Sequence, residues 1–375
     1  MYMHPWAAVP LVAAVSLCAG ELRVGRATLK IMPGGEAQVR ALVLESGGIK
    51  AVLVACDVDT VDSSLAAEAR NRVAGQTGIP VAHVMIHATR AGGESRKLRS
   101  VVAVRAGEAA KAADATLAEA RARRGAGRED SIVFYRRYLM KDGTVRSGPP
   151  KRLADIVQPA GDPDPEVAVI QFENMQGKPL ATYLNYGLAA PGAETYPSSL
   201  GAVLARLCGP GMVALFGPGA SANVDHLDIR NGELQKGPAE AQRLGTILAG
   251  EAIKALARAR PIDATPITVR REMLRLPGAR GSTEVEVQVI TLGEELAWVA
   301  LPGDVFVELG LAIKKASPFP QTMIVTLANG SVGVIPTKKA FSEGGEEVAK
   351  AACGVGCGEL LADAAIRLLV EARRK

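Results

Sequence analysis

Apolar runs separated by glycine pairs follow the first twenty residues of the chain. Gly34-Gly35 and Gly47-Gly48 lie between the first three of these runs, which favours a meander of strands joined by tight turns. The three runs cover residues 22–31, 38–44 and 50–56. Asp62 then precedes apolar residues at four-residue spacing, which is typical of a helix with a capping side chain.

Strand and helix patterns alternate along the rest of the chain. An Ala-rich stretch predicts a long helix over 97–123, and a β-rich run over 131–138 leads into a polar surface loop. Further strands are predicted at 81–88, 167–172, 180–188, 212–216, 285–292, 296–301 and 323–327, and further helices at 198–208, 238–260, 304–315 and 359–372. The alternation predicts an α/β fold with a mixed β-sheet flanked by helices on both faces. No repeat or linker divides the pattern, so residues 21–375 are expected to form a single domain.

The first twenty residues contain no Lys, Arg, Asp or Glu, and their apolar run ends in small residues. This is typical of a signal peptide, although no basic residue precedes the run and no A-x-A cleavage site follows it. A buried first strand or a disordered N-terminus is the alternative interpretation. We therefore expect a secreted or periplasmic protein, or otherwise a cytoplasmic one. The same leader suggests a further hypothesis, association with a membrane surface.

Composition and charge exclude some classes of function. A hydrophobic fraction of 48% is ample for a continuous core, and no segment after the leader is apolar enough to span a bilayer. The net charge of +5 is spread along the chain, which argues against a nucleic-acid-binding surface. Its densest basic cluster is interpreted as a solvated, glycine-punctuated linker and comprises Arg121, Arg123, Arg124 and Arg128.

The cysteines suggest one covalent link. Cys56 and Cys208 lie in apolar segments and are interpreted as core residues, and Cys18 lies in the leader. Cys353 and Cys357 are close enough to close a small turn by a disulfide in an oxidising compartment. A two-thiolate metal site is the alternative.

Function in an α/β fold is expected in the loops that leave the strand ends. The loops that carry polar residues here span 87–94, 185–190, 217–228, 301–304 and 327–337. Three runs resemble the catalytic domain of the neutral, non-lysosomal ceramidase family: Leu-Pro-Gly-Asp within 285–315, Asn-Gly, Ile-Pro-Thr and Glu-Gly-Gly within 327–345, and 136–143 followed by Asp-Ile-Val. The resemblance covers residues 22–369. The additional immunoglobulin-like domain of full-length ceramidases is not expected in this chain.

The resemblance implies zinc-dependent cleavage of an N-acyl amide as the ancestral chemistry. Zinc catalysis needs about three protein ligands and an open position for water. Arg90 stands where the family has its first histidine ligand, and Ala189 stands where it has the second. A guanidinium keeps its proton and offers no lone pair, so it cannot ligate zinc. Asp304, in place of the family's glutamate, is the only residue of the set still able to ligate, and no bound cofactor is expected.

Other positions of the family's site also differ. The positions that the resemblance assigns to substrate-orienting tyrosines hold Ser331, Val334, Phe341 and Glu346. Asp225 occupies the position of the nucleophilic serine, with Ser221 nearby but shifted. Arg136 matches an arginine that would position a polar substrate group. Arg136 and Asp225 are therefore the candidate catalytic residues.

Two arrangements of the remaining polar residues are open. Arg90 and Arg136 offer guanidinium groups for an anionic ligand, whereas a salt bridge between Arg90 and Asp304 would neutralise the one remaining carboxylate. His87, His226, Asp225 and Asp228 offer a displaced metal or acid–base cluster, against which both histidines are interpreted as structural. The candidate ligand-binding residues are Arg90, Asn223, His226 and Asp304.

The sequence therefore predicts a non-catalytic relative of the neutral ceramidases with a binding or structural role. A small anionic or lipid-like molecule is the expected ligand. The alternative hypothesis is an active hydrolase of linear amide bonds. Such an enzyme would hold a metal with Asp304 and His87 or His226, or would use Asp225 and Arg136 without a metal.

Overall fold

The computed structural model describes residues 21–93, 95–278 and 281–374, and the predicted leader over 1–20 lies outside them. The strands are β1 (Arg23–Lys30), β2 (Gln38–Ser46), β3 (Ile49–Val58), β4 (Val84–Gly93), β5 (Ala118–Arg128), β6 (Phe134–Tyr135), β7 (Arg137–Met140), β8 (Val145–Ser147), β9 (Ile156–Pro159), β10 (Glu166–Asn174), β11 (Pro179–Tyr186), β12 (Val213–Pro218), β13 (Val224–Asp225), β14 (Arg260–Ile262), β15 (Ile267–Gly278), β16 (Gly281–Leu292), β17 (Leu296–Ala300), β18 (Asp304–Val305), β19 (Gln321–Val325) and β20 (Val334–Ile335). The helices are α1 (Ser63–Thr77), α2 (Ser95–Asp114), α3 (Tyr196–Cys208), α4 (Pro238–Ala257), α5 (Val307–Ala316), α6 (Lys338–Glu343), α7 (Glu346–Ala349) and α8 (Cys357–Arg373).

A large mixed sheet has the order β12-β11-β10-β5-β1-β2-β3-β4, with β14 paired to β5. The predicted meander is confirmed, because β1, β2 and β3 pair antiparallel in sequence. Gly47 and Gly48 turn between β2 and β3 with φ of +59° and +79°, which glycine adopts without steric cost. Asp62 caps α1 as predicted, since its side chain accepts a hydrogen bond from the Leu65 N–H.

A second sheet, with the order β15-β16-β17-β19, packs face to face on the first. Trp298 of the second sheet lies fully buried between them, with its ring edge-on to Tyr183 of the first at 5.7 Å. Helices α1, α2, α3 and α4 cover the outer side of the large sheet, and α5 and α8 cover the outer side of the second. The predicted class, a mixed sheet flanked by helices, is confirmed. The difference is that two packed sheets, and not one, lie between the two layers of helices.

The arginine cluster was predicted wrongly. Helix α2 ends at Asp114, and the arginines lie in β5, which pairs with β10 along nine positions from Ala120 to Arg128. The cluster is therefore part of a strand and not of a linker, with Arg121 and Arg128 exposed and Arg123 and Arg124 held by carboxylate partners. Arg123 pairs with Glu173 at 3.4 Å, and Arg124 pairs with Glu295 at 2.9 Å.

The segment after β5 contains more structure than its sequence indicates. Residues 131–138 form β6 and β7 instead of one strand, and the predicted surface loop contributes β8 and β9 to a small sheet around β7. Near the other end of the chain, Cys353 and Cys357 form a disulfide. In the described part of the chain, no helix is long and apolar enough to cross a membrane.

Candidate functional site

Backbone hydrogen bonds join β4 to the loops after β17 and β19. The segment 87–94 was predicted wrongly as a loop, because β4 continues to Gly93. The N–H of Ala88 donates to the carbonyl oxygen of Leu327 at 3.2 Å. The N–H of Leu327 donates to the carbonyl oxygen of Gly303 at 3.0 Å. Asp304 donates its N–H to the carbonyl of Gly333 at 2.8 Å, and β18 pairs parallel with β20. These bonds fix the position of Asp304 beside the end of β4.

Arg90 and Asp304 form an ion pair at this junction, through Nη2 and Oδ1. Both side chains are about four-fifths buried, with exposed fractions of 23% and 20%. Arg90 has φ of +63°, a backbone conformation that costs energy for a residue with a β-carbon. Of the two arrangements that the sequence left open for Arg90, the salt bridge is the one present.

The Arg90 charge also reaches the hydroxyl of Tyr196, the first residue of α3. Burial raises the pKa of the Tyr196 phenol, and the positive charge of Arg90 opposes that rise. The hydroxyl donates to the carbonyl of Leu188 at 3.0 Å, in the loop that also carries Ala189. The guanidinium therefore lies between the loop after β11 and Asp304.

Asp225 lies next to Ala189, to which its backbone is bridged. Its carboxylate accepts a hydrogen bond from the Leu227 N–H at 2.9 Å, and the Nε of Arg136 is 3.9 Å from the other oxygen. Burial raises the pKa of the Asp225 carboxyl, while the Leu227 N–H and Arg136 oppose the rise. The two candidate catalytic residues therefore do lie together.

Arg136 is held more closely by two other carboxylates. Its Nε lies 3.1 Å from Glu347, and its Nη2 lies 3.3 Å from Glu346. Glu347 also pairs with the fully buried Arg137 at 3.3 Å and accepts a hydrogen bond from Ser147. A substrate group would have to compete with these carboxylates for the Arg136 guanidinium.

The sequence interpretation missed this group of charges. Arg137 is completely buried, pairs with Glu343 at 2.9 Å and lies 5.6 Å from the centre of the Phe306 ring. The sequence does show the acidic residues, since Glu343, Glu346 and Glu347 stand within five positions, at the end of α6 and the start of α7. The sequence could not show that these glutamates pair with Arg137, which lies about two hundred residues earlier in the chain.

Asn223 and Ser221 are occupied by internal hydrogen bonds. The Asn223 side chain donates to Glu308 at 2.7 Å and to the Tyr135 hydroxyl at 3.2 Å, and it accepts from the Val307 N–H at 2.8 Å. The Ser221 hydroxyl donates to the carbonyl of Gly219 at 3.1 Å. Both side chains tie the loop before β13 to its surroundings, including the start of α5.

His87 and His226 have separate partners. His87 lies against Tyr183, with its Nε2 at 3.1 Å from the phenol oxygen, and burial lowers its pKa to about 4. His226 is also fully buried, and its Nε2 lies 2.9 Å from the backbone carbonyl of Gln235. Within residues 21–93, 95–278 and 281–374, no three His, Cys, Asp or Glu side chains are grouped as a potential metal site.

Two solved structures are similar to this arrangement of sheets, helices and loops. A ceramidase complexed with C2 superposes with a TM-score of 0.78 at 13% identity, over 94% of this chain and 75% of that one. The neutral ceramidase from Pseudomonas aeruginosa gives a TM-score of 0.75 at 14% identity, over 95% and 76% of the two chains. This chain has the neutral ceramidase fold. The resemblance seen in the sequence is thus confirmed for the fold, although no protein-family model and no curated protein sequence matches the chain.

The donor set at the loop junction of this ceramidase fold does not fit a zinc ion. Arg90 offers a cation and no lone pair, and Ala189 offers no donor. Asp304 is a competent ligand, but its carboxylate is already paired with Arg90. Zinc sites in proteins take three or four such ligands, and this junction supplies one.

Proposed function

We propose that this protein is a non-catalytic relative of the neutral ceramidases, with a binding or structural role at the end of the sheets. The observation that carries the proposal is the Arg90–Asp304 ion pair. By the resemblance, both residues occupy positions of zinc ligands. The ion pair puts a positive charge where the metal's charge would act, and it compensates the one carboxylate that remains.

The ion pair is a stable replacement for the metal in physical terms. A carboxylate that is four-fifths buried is costly to leave unpaired, and an arginine is charged at every physiological pH. Arg90 in β4 and Asp304 in β18 also approach each other from segments that backbone hydrogen bonds already hold together. Neither residue needs a metal to keep the junction closed.

The charges around Arg136 argue for a neutral or lipid-like ligand over a small anion. Glu346, Glu347 and Asp225 all lie within 3.9 Å of this guanidinium. An anion would have to displace one of these carboxylates, and its binding would be opposed by the others. The arginine pair that the sequence suggested as an anion pocket is therefore the weaker proposal.

We also propose that the protein is exported. The apolar leader over 1–20 supports export, and so does the disulfide between Cys353 and Cys357, because disulfides persist in oxidising compartments.

Zinc binding by the wild type and by a variant with restored ligands tests the proposed function. The variant combines Arg90→His and Ala189→His, which would return two imidazoles beside Asp304; histidine also tolerates the φ of +63° at position 90. Each protein is dialysed against zinc, then against buffer alone, and its metal is measured by plasma mass spectrometry. We expect essentially no zinc on the wild type and about one ion per chain on the double variant.

The single variant Ala189→His is the matched control, because it adds one imidazole but keeps the Arg90 cation. It should remain free of zinc. About one zinc per wild-type chain would contradict the proposal, since it would mean that other side chains hold the metal and that a rebuilt catalytic site exists.

A further inference from the structure

A cavity of about 390 Å³ lies beside β6, β7 and β9, and neither Arg90 nor Asp304 is among its described lining residues. Its volume falls within the range of pockets that hold small organic molecules. The walls are mostly apolar and include Phe134, Tyr135, Ile156, Val157, Pro163 and Ile229. They come from segments separated by more than sixty residues, so the cavity is formed by the tertiary structure rather than by one loop.

Tyr138 supplies an unused hydrogen-bonding group to this cavity. The residue lines the cavity and is 3% exposed, yet its hydroxyl has no hydrogen-bond partner among the described residues. The neighbouring Tyr135 differs, because its hydroxyl is bonded to Glu308 and Asn223. A phenol hydroxyl in a cavity wall without a protein partner is available to donate to, and accept from, a bound molecule.

The charges around Tyr138 select against anions. Asp162 and Asp228 line the cavity, and Asp225 lies close enough to act on the phenol. Burial, Asp225 and Asp228 raise the pKa of Tyr138 to about 12, so its hydroxyl is a neutral donor at physiological pH. The one cation in the described lining, Arg230, is held by Asp228 at 2.9 Å.

We propose that this cavity binds an uncharged, largely apolar molecule carrying one hydroxyl group, with the Tyr138 hydroxyl as its hydrogen-bonding anchor. The ligand's apolar part packs against Phe134, Ile156 and Ile229. The site is independent of the proposed loss of zinc, because the cavity lining described here does not include Arg90 or Asp304.

The test compares the binding of two probes to the wild type and to one variant. 2-Naphthol carries the hydroxyl, whereas naphthalene has the same rings without it, and binding of each is measured by fluorescence titration to the full chain. Tyr138→Phe removes the anchor and keeps the ring. We expect 2-naphthol to bind about three- to tenfold more weakly to this variant, which corresponds to one lost hydrogen bond, and naphthalene to bind equally to both proteins.

A second variant tests the location. Val157→Trp fills the mouth of the cavity from a side chain that is 54% exposed in the wild type, so the fold should tolerate it. We expect both probes to lose binding, with an unchanged thermal unfolding curve. Fluorotyrosine labelling of the six tyrosines gives a readout that does not depend on a variant's affinity. A ¹⁹F signal that shifts with 2-naphthol should be absent in Tyr138→Phe, whereas the signal of Tyr135, which also lines the cavity, should remain.

Four results would overturn the proposal. The first two are no saturable binding of either probe by the wild type, and equal binding of 2-naphthol by Tyr138→Phe and the wild type. The others are undiminished binding of both probes by Val157→Trp, and tighter binding of the anionic 2-naphthoate than of 2-naphthol by the wild type.

Discussion

His87 lies fully buried within β4, and both of its ring nitrogens have partners. Nδ1 is 3.1 Å from the Ala88 carbonyl, which can only accept, so Nδ1 carries the proton. Nε2 then accepts from the Tyr183 hydroxyl at 3.1 Å. Burial lowers the pKa of His87 to about 4, which keeps the ring neutral at physiological pH. These contacts fit the structural interpretation of His87.

The lowered pKa predicts a loss of stability in acid. Because the folded pKa lies below the unfolded value of about 6.5, this contribution is fully present above pH 6.5 and is lost as the pH falls towards 4. The contribution of His87 to the free energy of unfolding should fall by roughly 3 kcal/mol between pH 6.5 and pH 4. Urea denaturation of the wild type and of His87→Gln at several pH values measures the difference, since glutamine still accepts from Tyr183 but does not titrate.

The control for this experiment is His83→Gln, which makes the same substitution at a partly exposed histidine in the short 3-10 helix Val81–His83, outside the contact between His87 and Tyr183. Parallel stability profiles for the wild type and His87→Gln would contradict the assignment of a neutral, buried imidazole.

Among the secondary structure elements, α3 and α4 pack unusually closely at Gly245. A β-carbon at this position would lie 2.6 Å from the Ser199 Cβ and 2.7 Å from the Leu200 N, and the Tyr196 carbonyl oxygen would be 2.8 Å away. Two of these atoms belong to the backbone and cannot move without moving the helix. The small residue therefore sets the distance between α4 and α3, whose first residue is Tyr196.

Gly245→Ala should destabilise the protein because it forces the two helices apart. We expect a loss of about 1–3 kcal/mol, despite the better helix propensity of alanine. Gly250→Ala is the matched control on the same helix, since a β-carbon there meets nothing within 4 Å. It should stabilise by about 0.5–1 kcal/mol in urea denaturation. Equal effects of the two substitutions would rule out close packing as the role of Gly245.

The misassigned region around β5 shows what local patterns leave out. The Ala and Arg residues over 97–123 are good helix formers, so their composition favours one long helix. The chain instead turns after Asp114 and enters the sheet, because β10 and β14 offer pairing along both edges of residues 122–124. Strand formation depends on such distant partners more than on the residues themselves.

For the whole molecule, the closed ion pairs predict the absence of the ancestral reaction. Purified protein incubated with a fluorescent N-acyl sphingosine should release no more fatty acid than a blank, with or without added zinc. Asp304→Ala should not change this result. Hydrolysis that is abolished by Asp304→Ala but retained by Asp142→Ala, at an exposed carboxylate, would instead establish the active amide hydrolase.

The sequence alone determined the class of fold and most of the strands and helices, because apolar periodicity and capping residues act over short distances. It also supplied Arg90 and Ala189 at the positions that the resemblance assigns to zinc ligands, since the identity of a side chain decides whether it can ligate a metal. Only the tertiary structure decided which charges meet. The pairing of Arg90 with Asp304, the carboxylates around Arg136 and Arg137, and the cavity at Tyr138 all join segments far apart in the chain. Such contacts depend on how sheets and loops pack, which no local pattern records.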